Sequence, residues 1–583
     1  MVVYIAIGIY FRRNIMKATK KLLCLTLALV MAGLAFIVPV AAAEEAIPFI
    51  MVNGIGSTKL YKNIGEAPSD TSEGETLVFS GDGFIEGLIK DVGGALLSGI
   101  IRYGIADKDY NAFADQLFPV VNTYLEDIGY NIDGTPRNET IGFKQLTKPM
   151  SKYTEEEKAE LSPFALQYAA ENGEENVYNF SYDWRGDPLE WAEQLNAFIK
   201  EVAGSGKVNM VAMSMGSIVA LSYMSKFGGK QLNNVVFASP AWQGTGLAGY
   251  PLTGNIEFDT FAVHNYLVQL ANVTVTTHIT AFIISFIDSW DGLTREYAGD
   301  VNAAIQGILP RSYTDTLIPY LAGMPGFWSL CPYDMYDDAI KFIFTDREGV
   351  ELDPSLKAKL DAYHEIQGNA KEIVENAMDD GMRFYIVAGY NCQMIPLNNK
   401  YETSDTIIET KYMTGARCAL YLQSGNDWAQ KMNQEVEDGH RHVSWDGKVD
   451  LSKGYFPEQT WLIKNMQHNT WSTENGTLNI VMWLLGADEQ LNVMSDVENY
   501  SQFMLYNTYK KTTRPVALEA LFGDLNSSGA VRTDDALAAL KISAGNKKAT
   551  DTQLAVGDID EDGKITTSDV KTILGIAAGI EEY

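Results

Sequence analysis

Short apolar runs recur along this chain, each closed by small or turn-forming residues and most followed by a stretch with helical period. Residues 46–52, 176–182, 207–213, 234–239, 383–388 and 459–464 read as buried strands, because unbroken apolar stretches of this length suit a sheet covered on both faces. Residues 189–202 and 478–485 carry helical spacing, as does the segment after Gly216. Strands alternating with helices predict an α/β fold: a doubly wound, mostly parallel sheet with helices on both faces. After the first strand, Gly and acidic residues give a long stretch that reads as irregular and helical. The interval from about 243 to 380 is far too long for a crossover loop. Its apolar helical candidates at 267–270 and 280–286, and the Trp- and Pro-rich segment from Pro325 to Pro332, predict a cap inserted over the strand ends. Aromatic and apolar residues there suit an acyl chain, although packing of the insert itself explains any one of them.

The strand at 207–213 runs through Ala212-Met-Ser214-Met-Gly216 directly into a helical pattern. This is the strand–elbow–helix arrangement of a serine nucleophile, with Ala212 in place of the first glycine of G-x-S-x-G. Small residues flank the serine because a strained turn leaves no room for bulk. The following helix start offers the Met215 N–H to an oxyanion. A buried serine in an ordinary strand-to-helix turn is the competing reading.

A serine nucleophile needs an imidazole base and a carboxylate to orient it, in the order Ser, Asp or Glu, His for this fold. The chain has six histidines. His264 and His278 fall in the insert, and His364 in a charged helical pattern. His440 and His442 occupy a polar loop, where an H-x-H metal pair is the alternative use. His468 follows the last of these strands and precedes the helix at 478–485, which is where such a fold delivers its base. Asp405 is the expected carboxylate, after the strand at 383–388, with Glu409 as the fallback; a helix-cap role is the other reading of Asp405.

The chain has 583 residues, 46% of them hydrophobic and 11% aromatic, so several domains with a large core are expected. A formal charge of −30 argues against nucleic acid as a partner. Lys17, Lys20 and Lys21, an apolar run over 22–38 and Ala41-Ala-Ala43 before Glu44 form a basic region, an apolar region and a cleavage site. Residues 1–43 are therefore expected to be an upstream extension and signal peptide, which predicts a secreted, extracellular protein; an uncleaved membrane anchor is the alternative. Cys24 falls in that signal, leaving Cys331, Cys392 and Cys418, an odd number with no zinc spacing.

Several of these segments resemble the lecithin:cholesterol acyltransferase-like α/β-hydrolases. Residues 52–60 are similar to that family's P-G-x-x-G-S-x-L segment, with Asn53 in place of the proline and Ser57 at a glycine position. Tyr182-Asp-Trp-Arg185 resembles its Y-D-W-R segment, Ala212–Gly216 its elbow, and Ser239–Thr245 its S-x-P-x-x-G-[ST] strand end. Residues 446–450 and 457–461 with His468 resemble the C-terminal part of bacterial members. The resemblance spans 46–486 within an expected hydrolase domain at 44–515. It implies an α/β-hydrolase fold, a Ser214–Asp405–His468 triad, oxyanion N–H groups at Ile55 and Met215, and acyl transfer to water or an alcohol. No cofactor is expected for that chemistry.

From Phe522 the character changes. Asp524, Asn526, Ser528, Gly529, Ala530 and Asp535 recur as Asp558, Asp560, Asp562, Gly563, Lys564 and Asp569, offset by 34 residues. The spacing is that of a calcium loop: oxygen ligands at positions 1, 3 and 5, glycine at 6, a backbone carbonyl at 7 and a carboxylate at 12. Ser528 costs the first loop a carboxylate, so it is expected to bind more weakly. An intracellular EF-hand sensor and a solvated acidic turn repeat are the alternatives. The pair, over 522–583, resembles a type I dockerin. That implies a small all-α calcium-binding module with two calcium sites, docked on a cohesin of a cellulosome-like scaffold, with Thr533-Asp534 and Thr567-Ser568 setting cohesin choice. The expected protein is a lipase- or phospholipase-like serine acyl hydrolase or acyltransferase acting on an acyl ester. The alternatives are an esterase deacylating plant cell-wall polysaccharide, a serine peptidase, and a non-catalytic binding module on a hydrolase scaffold.

Overall fold

The computed structural model describes residues 47–63, 76–80, 91–257, 259–272, 277–398, 402–421, 442–508, 511–516, 523–526, 531–560 and 562–578. The expected signal peptide at 1–43 and His440 lie outside them. No helix among the described residues is long and apolar enough to cross a membrane. Cys331, Cys392 and Cys418 are free thiols.

The fold is mixed α/β around an eight-stranded, largely parallel sheet. In chain order its members are β1 (Phe49–Val52), β5 (Val177–Phe180), β6 (Val208–Met213), β7 (Leu232–Ala238), β8 (Arg383–Tyr390), β13 (Thr460–Lys464), β14 (Phe503–Asn507) and β15 (Thr512–Pro515). They lie side by side as β15-β14-β13-β8-β7-β6-β1-β5, and only β15 runs antiparallel to its neighbour. The unbroken apolar runs have a simple cause. Phe49 and Met51 enter one core with Val211, Val236, Tyr385, Val387, Trp461 and Ile463. Ile50 and Val52 enter the opposite core with Met210, Ala212, Phe237, Ile386 and Leu462. With side chains alternating across the pleat and both faces covered, every position must be apolar.

Helices Pro163–Asn172 and Asn479–Leu485 supply Phe164, Ala165, Ile480 and Leu484 to the first core. Helices Pro188–Ala203, Gly216–Phe227, Pro354–Gly368 and Ala370–Asp379 supply Leu195, Ile218, Leu360 and Val374 to the second. The last two of these belong to the layer against the sheet, although they fall in the long insertion.

A separate helical body carries its own core, in which Val263, Trp290, Val301 and Ile305 meet Ile100, Phe113 and Leu117. Its helices Thr260–Asn272 and Thr277–Ser312 come from the insertion; Gly93–Gly99 and Tyr110–Leu125 come from the stretch after the first strand. A small antiparallel sheet in the order β3-β2-β4, from β2 (Leu60–Lys62), β3 (Thr76–Phe79) and β4 (Ile141–Gly142), also interrupts that stretch. Two short antiparallel pairs, β9 (Cys392–Gln393) with β10 (Thr403–Ser404) and β11 (Arg417–Cys418) with β12 (Val449–Asp450), lie between β8 and β13 in the chain. The sequence reading anticipated neither these small sheets nor β14 and β15. At the C-terminus, helices Thr533–Ser543, Asp551–Gly557 and Thr567–Ala577 enclose Ala536, Ala539, Val556 and Ile573.

Gly216 opens the helix after β6, where an added Cβ would lie 2.2 Å from Val52 O and 2.9 Å from Asn53 O. Those are backbone atoms at the end of β1 and just after it, and cannot swing aside. Gly216→Ala should therefore lower the urea unfolding free energy by about 1–3 kcal/mol. Gly292→Ala, at a helical position where nothing lies within 4 Å, should be neutral or stabilising in the same measurement.

Candidate active site

The chain leaves β1 toward β5 and leaves β6 toward β7, in opposite directions, so the crevice between β1 and β6 is the switch point of the sheet. Ligands of open α/β sheets bind at such points, beyond the carboxyl ends of the strands. Ser214 stands at the end of β6, and Gly54 and Ile55 follow β1. The two loops touch: a Cβ on Gly54 would lie 2.7 Å from Ser214 Cβ and 3.1 Å from its Oγ.

Ser214 holds φ at 53°, a region that costs a non-glycine residue about 1–3 kcal/mol. Its surroundings fix it there. The Ser214 N–H donates to Ala238 O at 3.1 Å, and Ser214 O accepts from Ser217 N at 3.0 Å, Ser217 Oγ at 2.6 Å and Ala241 N at 3.1 Å. Among the described residues, neither the Ile55 nor the Met215 N–H finds a hydrogen-bond acceptor. The loop bearing Ile55 is braced by Tyr182, whose hydroxyl donates to Asn53 O at 2.9 Å, and by Asn53 Nδ2, which donates to Asn179 Oδ1 at 2.7 Å. Next to Tyr182, Arg185 forks onto Asp183 at 2.8 Å and 2.6 Å, which rigidifies the turn after β5.

Asp405 and His468 meet above β8 and β13. His468 Nδ1 lies 2.7 Å from Asp405 Oδ2, and the His468 N–H donates to Asp405 O at 2.6 Å. Asp405 Oδ1 accepts from Ile407 N at 3.1 Å and Ile408 N at 2.9 Å. This contact suits the tautomer that carries its proton on Nδ1, which leaves the Nε2 lone pair to other partners. The approach requires glycine at 389, where a Cβ would lie 2.1 Å from Met466 O and 3.0 Å from Asp405 Cβ. Ser214 and His468 form no hydrogen bond with each other in this structure. The sequence reading missed Tyr266, which comes from the helix Thr260–Asn272; burial raises its phenol pKa, and the nearby Asp405 charge adds to the rise. Nothing in the mixed apolar and polar pattern of that helix singles it out.

The other candidates are occupied elsewhere. His264 Nδ1 pairs with Asp291 at 2.7 Å, His364 stacks between Tyr333 and Tyr336, and buried His442 Nδ1 meets Gln502 Oε1 at 3.0 Å. The side chain of His278 lies outside the described residues. Glu409 points away from His468: its carboxylate accepts the Gly246 N–H at 3.0 Å and 3.1 Å at the start of the helix Gly246–Thr253.

In the second C-terminal loop, carboxylate oxygens of Asp558, Asp560 and Asp569 lie within 4.8 Å of one another. Asp558 Oδ2 accepts from Gly563 N at 2.8 Å, and Asp562 Oδ1 from Lys564 N at 2.9 Å. Hard oxygen donors around a glycine turn suit calcium. In the first loop Asp524 and Asp535 are buried, and Asn526 N donates to Asp535 at 3.0 Å. Burial lifts the Asp535 carboxyl above its usual range, with the Asp524 and Asp534 charges adding to the shift. Ser528 and Ala530 lie outside the described residues. No protein-family model matches this chain, and no curated protein matches it.

Burial pushes the Glu409 carboxyl up to about 7, from 4.5. The folded state thus holds this proton more tightly than the unfolded chain. The resulting stability is complete below the unfolded value and is lost as pH rises toward 7, by on the order of 3 kcal/mol. Glu409→Gln should flatten that slope, so thermal melts should show the variant gaining on wild type from about pH 5 to about pH 7.

Proposed function

We propose that this chain is a secreted serine acyl hydrolase or acyltransferase of the lecithin:cholesterol acyltransferase-like α/β-hydrolases, carrying a C-terminal type I dockerin. The observation that carries the enzymatic reading is a serine held at positive φ at the switch point of a parallel sheet, in a chain that also pairs a buried Asp405 with His468. An elbow of that kind lifts Oγ clear of the strand ends.

Ser214 Oγ attacks the carbonyl carbon of an acyl ester while His468 Nε2 takes the hydroxyl proton. Asp405 keeps the imidazole in the required tautomer and stabilises the cation that forms. The carbonyl electron pair moves onto oxygen, where the Ile55 and Met215 N–H groups receive it, each contributing about 3 kcal/mol. Collapse of the tetrahedral intermediate breaks the ester C–O bond, and the departing alkoxide takes the proton from His468. Water or an alcohol then repeats the sequence on the acyl-serine, returning Ser214 and releasing acid or a new ester. The helical body with Tyr266 near Asp405 would cover the acyl group. The calcium loops would fold with metal held by Asp524, Asn526 and Asp535, and by Asp558, Asp560, Asp562 and Asp569, with Ser528 and the carbonyls of Ala530 and Lys564 completing the sets. They would dock the enzyme on a cohesin-bearing scaffold. That acidic repeat also favours a second reading, deacylation of cell-wall polysaccharide.

Hydrolysis of acyl esters from acetyl to palmitoyl, a phospholipid and acetylated xylan tests both. Ser214→Ala should lower kcat/KM by about 10³-fold or more, and Asp405→Asn by about 10⁴-fold through the wrong tautomer, with KM little changed. Long-chain or phospholipid turnover supports the lipid reading; turnover confined to acetyl esters and xylan moves the enzyme to the cell wall. No turnover that depends on Ser214 sinks both.

A further inference from the structure

Residues 391–397, just after β8, tie three parts of the molecule together. At the start of this strap, Asn391 holds φ at 65° and its Nδ2 donates to Asn465 Oδ1 at 2.7 Å, three residues before His468. In the middle, β9 pairs with β10, whose last residue, Ser404, adjoins Asp405, and the Ile395 N–H donates to Thr406 O at 3.1 Å. The strap also reaches the helical body. Gln393 Nε2 donates to Ala262 O at 2.7 Å, and Leu397 O accepts the Glu257 N–H at 3.0 Å. Gln393 and Ala262 are 2% and 1% exposed, so water cannot readily replace their bond. Val263, next to Ala262, belongs to the core of the helical body.

Thr406 makes this junction sensitive. It holds φ at 87°, where a β-branched residue is strained. Its N–H donates to Ser404 Oγ at 2.9 Å, and its carbonyl is held by Ile395. A shift of the strap that breaks this grip would let Thr406 relax and turn Asp405, its neighbour, away from His468. We propose that Gln393 is a positioning residue: it makes the alignment of Asp405 with His468 depend on how the helical body is seated. It acts through β9, β10 and Thr406 rather than on a reacting atom. The proposal rests on the catalytic reading of Ser214, Asp405 and His468 given above.

The test uses the full chain. Gln393→Met keeps the length and burial of the side chain but removes its donor. Glu257→Pro removes the other donor between body and strap, at a side chain exposed to solvent. Both variants should lower kcat about 10- to 100-fold on an acetyl ester and a palmitoyl ester alike, with KM little changed. The low-field proton resonance of His468 Nδ1–H, assigned by its loss in Asp405→Asn, should shift upfield or vanish in both. A rise in KM confined to the palmitoyl ester, with kcat on the acetyl ester kept, would mean that the tie only holds the body in place. That result overturns the proposal, as does an unchanged resonance. If no ester is turned over through Ser214, the catalytic reading fails, and the resonance alone decides whether Gln393 positions the pair.

Discussion

The backbone of Ser214 at φ 53° is the constraint from which the rest of the site follows. A serine in that conformation is stable only if its peptide groups are gripped, and here both are, from β7, from Ala241 and from the helix that Gly216 opens. The grip works only because β1 passes so near that Gly216 cannot carry a side chain, and because Gly54 lies against the serine itself. The same closeness brings the loop after β1 against the serine at the end of β6. The register that pairs Val52 with Ala212 thus sets how closely the loops that follow the two strands approach.

On the other side of the sheet centre, an equally tight backbone contact does a different task. Gly389 lets the Met466 peptide and the Asp405 Cβ close over the end of β8. Asp405 then has both oxygens committed, one to two peptide N–H groups and one to the imidazole. A carboxylate so satisfied can be fully buried without a cation beside it, because hydrogen bonds replace its hydration. Glu409, four residues on and equally buried, is pushed toward its neutral form by that burial, which outweighs the opposing Gly246 N–H.

These differences mark where the sequence is legible. Strands covered on both faces announce themselves as apolar runs, so β1, β5, β6, β7, β8 and β13 are readable, as is the elbow, whose small residues answer a steric demand. The choice of Asp405 over Glu409 rests on chain position, and the hydrogen bonds that separate them come from loops without a pattern. The sheet of β2, β3 and β4 is illegible because its strands are two to four residues long, below any periodic signal. β15, at the sheet edge, is Thr512-Thr-Arg-Pro515 and offers no apolar run to read.

The helical body shows a deeper limit. Its core joins Phe113 and Leu117 to Val263 and Trp290, residues far apart in the chain, and neither segment buries its apolar face alone. Read separately, 91–125 looks irregular and 260–312 looks like a self-contained insert. Their pairing gives the helix Thr260–Asn272 a buried side through Val263, while Tyr266 feels the charge of Asp405 and Phe261 remains 57% exposed. The tie at its start is local, since Gln393 Nε2 donates to Ala262 O at 2.7 Å and so hangs the helix from the strand pair that precedes Asp405. Movement of this body relative to the sheet would therefore be felt first at the carboxylate that orients His468.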